Sequence, residues 1–133
     1  MAITAAAGPI SNILAAFVGM LIFNVIRLFA EFLPWQVRLF IQIFFSYYVS
    51  INIMLAVFNL LPIPPLDGSR IVGAFLSDRA LYTYYRYQNF IMIGLFVLLF
   101  SGVLDVPLTW LQNVVGGGLQ WLANLPFEAF GVL

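Results

Sequence analysis

Histidine, cysteine and lysine are all missing from the 133 residues, and the five cations are all arginine. Without cysteine there is no disulfide, no thiolate ligand and no thiol nucleophile. Without histidine the commonest general base, and the commonest nitrogen ligand for zinc, is gone. Charge of either sign is scarce. Charged residues make up 8% of the chain and the net charge is zero, where soluble domains carry roughly a quarter charged residues. No basic patch exists to hold nucleic acid, which excludes that class of partner. Residues 1–7 lack the basic head of a secretory signal, so the first apolar stretch is expected to be a retained helix.

Apolar surface is what the chain has in excess, with 64% hydrophobic residues and a mean hydropathy of +1.07. A core of this size cannot hide that much of it, so lipid must solvate a large share. The pattern predicts an all-α membrane protein. About three transmembrane helices are expected, with a proline-rich loop between the second and third and a broken or interfacial helix at the C-terminal end.

The first apolar segment opens at Ala7-Gly8-Pro9-Ile10-Ser11-Asn12 and runs to about Leu28. Ala7, Ser11, Ala15 and Gly19 recur every fourth residue, a stripe that would let another helix come close. Asn12 and Asn24 are expected to face protein, as structural hydrogen-bonders. Arg27, Glu31, Pro34, Trp35 and Arg38 read as a short solvated connection with an interfacial tryptophan. In the second segment, from about Leu39 to Leu61, Gln42, Ser46 and Ser50 share one face, and Asn52 and Asn59 share a roughly opposite one. That helix should touch protein on both sides, with a neighbour that need not be in this chain.

Leu81 to Gln88, rich in tyrosine and holding Arg86, reads as an aromatic belt at the membrane edge. Phe90 to Leu104 is a third apolar run, short for a span, and Asp105 and Pro107 end it. The tail, Leu108 to Leu133, contains Gly116-Gly117-Gly118, which lacks the lysine and hydroxyl of a phosphate loop. Two arginines in the first connection against three in the second favour the Asp67 side facing the cytoplasm.

The chemistry concentrates at Asn59-Leu60-Leu61-Pro62-Ile63-Pro64-Pro65-Leu66-Asp67-Gly68-Ser69-Arg70. Three prolines remove three backbone donors and keep their segment out of a regular helix. Asp67 follows at a membrane edge, where an unpartnered carboxylate is costly. It could cap a helix starting at Gly68, pair with Arg70, or ligate a metal.

This stretch resembles the C-terminal signature of the site-2 proteases, the intramembrane zinc metalloproteases. Ala6-Ala7-Gly8-Pro9-Ile10-Ser11-Asn12 is similar to a second signature of that family, and the order and spacing of the two agree. The resemblance implies that Asp67 is a zinc ligand. It also implies that Asn59, Pro62 and Pro64 line the approach of a transmembrane-helix substrate, in a bacterial-type cell membrane.

The same family takes two further ligands and its water-activating glutamate from a His-Glu-x-x-His helix, which a chain without histidine does not contain. No catalytic residue is therefore assigned here. The expectation is a single transmembrane domain, residues 1–133, that forms the C-terminal part of a site-2 protease core. It would be inactive alone and would need zinc and a missing N-terminal segment or neighbouring helix. The alternative is a non-catalytic membrane protein that keeps the fold and binds transmembrane helices. A third reading, a small channel using Asn12, Asn52 and Asp67 as a polar path, ranks last, because one acid is thin material for a pathway.

Overall fold

The computed structural model describes residues 2–131. Met1, and Val132 and Leu133 at the end of the tail, lie outside the described residues. Six α-helices follow one another: α1 (Ala2–Leu28), α2 (Trp35–Asn59), α3 (Asp67–Gly73), α4 (Asp78–Arg86), α5 (Gln88–Phe100) and α6 (Asp105–Ala129). No strand occurs among the described residues.

α1 and α2 are each long and apolar enough to cross a bilayer. A helix of 25 residues reaches roughly 37 Å, more than the hydrocarbon thickness. A 3-10 turn at Ala30–Phe32 and then Pro34, whose extended backbone precedes the first residue of α2, reverse the chain between them. The two helices run antiparallel. Phe23 meets Phe45 with ring centroids 5.7 Å apart, and a β-carbon at Gly19 would stand 2.7 Å from the Tyr48 ring. Close approach of the two backbones thus depends on a missing side chain at residue 19.

The stripe of small residues is displaced from its expected line. Ala7 and Ser11 are exposed, and the buried positions of α1 are Ala5, Pro9, Ala16, Gly19, Met20 and Asn24. Pro9 occupies the early part of α1, and Ser11 spends its hydroxyl on the Gly8 carbonyl of its own helix, donating at 2.7 Å. Ile10, Leu14, Val18, Ile22 and Val25 form the opposite, exposed stripe, which suits a lipid-facing surface.

The third member of the bundle is α6. It runs back along α2, with Asp105 and Leu108 beside Val57 and Phe58 and Ala123 beside Asn24 of α1. Ala16, Met20, Ile53, Val57 and Ala123 make the buried core where the three helices meet. The glycine run at 116–118 is helical throughout. The break in the C-terminal part falls instead at residues 101–104, where α5 turns by 86° into α6. Gly102 sits there with φ +74°, a left-handed conformation that glycine adopts without steric cost.

α5 is the most uniformly apolar helix, yet Leu95 is its one buried residue and Phe90, Ile93, Val97 and Phe100 are exposed. The reason is directional. Lipid solvates a greasy helix as well as protein does, whereas α6 offers small residues and amides that only another helix can match.

Candidate metal-ligand site

α2 runs out at Asn59, just before the proline-rich loop. The amides of Leu60 and Leu61 still close helical turns onto Ala56, Val57 and Phe58, and Pro62 then ends the series because it has no N–H. Ile63 donates to the Leu61 carbonyl at 2.8 Å, and Leu66 donates to the Ile63 carbonyl at 2.8 Å across the cis Pro64–Pro65 peptide. Pro64 is fully buried, Pro62 is exposed and Asn59 is half-buried.

α3 begins at Asp67. Of the structural readings open to this residue, the cap is corrected: Leu66 holds the cap position, extended at φ −65° and ψ 155°, and no side chain caps the helix. Ser69 is the reason. It is 1% exposed, and both its amide (3.0 Å) and its hydroxyl (2.7 Å) donate to the Leu66 carbonyl. With Ser69 fixing the boundary from inside, the Asp67 carboxylate is left free. It lies in the first turn, where the helix dipole favours a negative charge.

Two glycines decide where that carboxylate stands. At Gly68 a β-carbon would overlap the carbonyl oxygens of Leu60 and Leu61, so α3 can press against the end of α2 only because residue 68 has none. At Gly8 a β-carbon would stand 2.9 Å from Asp67 Oδ2. The half-buried carboxylate therefore rests on the second turn of α1. Gly8 is four residues inside the apolar part of that helix, or roughly 6 Å along its axis. The two sequence signatures, far apart in the chain, meet at this contact.

One further hydrogen bond reaches the loop from outside. The Tyr84 hydroxyl, on α4, donates to the Pro62 carbonyl at 2.6 Å. Partial burial, and secondarily the neighbouring Tyr85, hold the Tyr84 phenol above its ordinary pKa. In sequence Tyr84 is one of four tyrosines between residues 82 and 87, of which it alone bonds the loop. Nothing in that run sets it apart.

Away from Asp67, α1, α2 and α6 surround a groove of about 480 Å³. Asn24, 3% exposed, donates to the Ala123 carbonyl (3.2 Å) and to Asn124 Oδ1 (3.0 Å), the structural role expected of it. Gln112 donates to the carbonyl (3.2 Å) and the hydroxyl (2.7 Å) of Ser50. The polar face of α2 that includes Ser50 thus has its neighbour within this chain. Gln42, Ser46, Asn113 and Gln120 also line the groove. On the other face, Asn52 donates to the Tyr48 carbonyl of its own helix at 2.8 Å.

The donor set fits a zinc centre only in part. Among the described residues no three histidine, cysteine, aspartate or glutamate side chains come together, whereas a catalytic zinc takes three protein ligands. Asp67 offers one.

A helical bundle with membrane-length apolar helices and an acid seated where two separated motifs touch defines an integral membrane protein. The comparisons with known proteins make this specific. Peptidase family M50, the site-2 protease family, matches residues 35–101, and the chain belongs to that family. It is 33% identical over 106 residues to "Putative zinc metalloprotease YwhC" of Bacillus subtilis (strain 168), a match covering 78% of this chain and 47% of the relative. The chain thus spans about half the length of the relative it matches. No solved structure matches it.

Proposed function

We propose that this chain supplies the aspartate ligand, Asp67, to the zinc centre of an intramembrane endopeptidase whose other ligands come from a histidine-bearing segment outside these residues. The observation that carries this reading is the seat of the Asp67 carboxylate against Gly8. The contact sets an acid with no capping duty at the membrane edge, in a chain of a metalloprotease family. On its own the chain is inactive, because one carboxylate does not hold a catalytic zinc. Asn59 and Pro62 border the approach of a transmembrane-helix substrate, and the buried Pro64 keeps the loop in shape behind them.

Metal content tests the proposal. The purified chain alone should hold no stoichiometric zinc. Joined to a segment bearing His-Glu-x-x-His and encoded upstream of Met1, it should hold about one zinc per complex. Asp67→Ala should remove that zinc together with cleavage of a transmembrane substrate. If Asp67→Ala keeps both metal and cleavage, the ligand assignment is wrong. If no such histidine segment is encoded upstream, the non-catalytic, helix-binding reading replaces it.

A further inference from the structure

Few backbone hydrogen bonds hold the proline-rich loop, although Pro64 is buried. Its prolines donate nothing, and its internal hydrogen bonds are the two short ones at Ile63 and Leu66. The Pro62 carbonyl receives its hydrogen bond from the hydroxyl of Tyr84, which lies 22 residues further along the chain on a different helix. Between the two lie all of α3, the turn at residues 74–77 and most of α4. α4 has no buried residue, but as a helix it is well terminated. Ser77 caps it through the Ala80 amide, Asp78 and Arg86 match its dipole at opposite ends, and Leu81 packs within reach of Gly73.

We propose that Tyr84 is a positioning residue for Asp67, acting through the Pro62 carbonyl. The hydroxyl pins the start of the loop to α4 while Gly68 abuts the end of α2. The five residues from Pro62 to Leu66 are then fixed at both ends, and the carboxylate is directed at Gly8. Partners one shell removed from a ligand typically change metal affinity by about ten- to a hundredfold. The ligand role of Asp67 is taken from the function proposed above, but the positioning itself can be read without metal.

Because the chain has no cysteine, a single cysteine at residue 67 reports on that position alone. In Asp67→Cys the thiol should react slowly with a maleimide in membranes. Adding Tyr84→Phe, which removes one oxygen and keeps the ring, should speed that reaction roughly three- to tenfold, the factor for losing one net hydrogen bond. Tyr85→Phe should leave it unchanged. A general loosening of the fold would also speed alkylation of Ala16→Cys, in the buried core, and this rate should not move. Equal rates at residue 67 with and without the Tyr84 hydroxyl overturn the proposal, as does a parallel rise at residue 16. In the histidine-complemented complex, Tyr84→Phe should weaken zinc binding by on the order of tenfold. If residue 67 responds to Tyr84 but zinc does not depend on Asp67, the latch stands and the metal reading fails.

Discussion

Gly8 meets the Asp67 carboxylate and Gly68 meets the end of α2, and substitution separates the two contacts. Gly68→Ala would drive a β-carbon into the carbonyls of Leu60 and Leu61. Those are backbone atoms at a helix end that cannot swing aside, so a loss of about 1–3 kcal/mol is expected in a detergent unfolding assay. Gly8→Ala meets only the tip of a side chain, Asp67 Oδ2. An alanine inside α1 should even favour the helix, by up to about 1 kcal/mol, while pushing the carboxylate off its seat. Expected, then, are unchanged or raised stability for Gly8→Ala and, in the histidine-complemented complex, weakened zinc binding. Loss of stability without loss of metal would mean that the contact is mere packing. Glycines in both motifs were conspicuous in the sequence, but their partners were not, because a contact between residues 8 and 67 leaves no trace in local spacing. The cap reading of Asp67 failed for a related reason. Ser69, two residues on, sets the helix boundary with a backward hydrogen bond.

Among the elements, hydropathy foretells which helices exist but not which of them pack together. α1 and α2 stood out as long uncharged runs, and the loop between α2 and α3 was marked by its prolines. α5 reads in the sequence as a third apolar run, short for a span, and it is α6, more polar and rich in glycine, that packs beside α1 and α2 through Asn24 and Gln112. Replacing Asn24 with leucine should therefore destabilise the bundle by about 1–2 kcal/mol, since it strips partners from Ala123 and Asn124. Val97→Leu on the exposed face of α5 should change it by less than about 0.5 kcal/mol. Equal effects in a denaturant titration would refute this division. α4 makes its own prediction through Tyr84. The phenol donates only while protonated, and its pKa is raised in the folded chain by partial burial and then by Tyr85. A raised value means that the latch contributes in full below the ordinary tyrosine value of 10.0 and is lost as pH climbs through the higher folded one. A difference titration of phenolate absorbance, wild type against Tyr84→Phe, should show this tyrosine ionising later than an unperturbed one. Ionisation at or below the ordinary value would remove the support that burial gives the latch.

For the molecule as a whole, the sequence announced lipid as the solvent through its shortage of charge, and the exposed stripe of α1 faces outward as that requires. The groove between α1, α2 and α6 was only half legible. Its α2 side could be read from Gln42, Ser46 and Ser50 at helical spacing. Its α6 side lay in a tail read as a broken or interfacial helix, because propensity disfavours a glycine run in a helix, whereas in the structure the run is helical and Gly116 lies against Ile53 of α2. The consequence is physical. Gln42, Ser46, Asn113 and Gln120 line a groove inside a bundle that crosses the hydrocarbon layer. Amides and hydroxyls at that depth require water or protein as a partner. In membranes of the chain by itself, water should fill the groove. A cysteine in place of Ser46 should then react with a small water-soluble maleimide. A cysteine in place of Phe44, two residues away at nearly the same depth but exposed on the outer surface of α2, should be shielded by lipid. Depth alone would protect both positions equally, so only a hydrated groove separates them. If both cysteines stay unreacted, the groove is closed in the bilayer and its polar side chains pair with one another. Closure would also deny a helix partner the hydrogen-bonding surface that these four side chains offer.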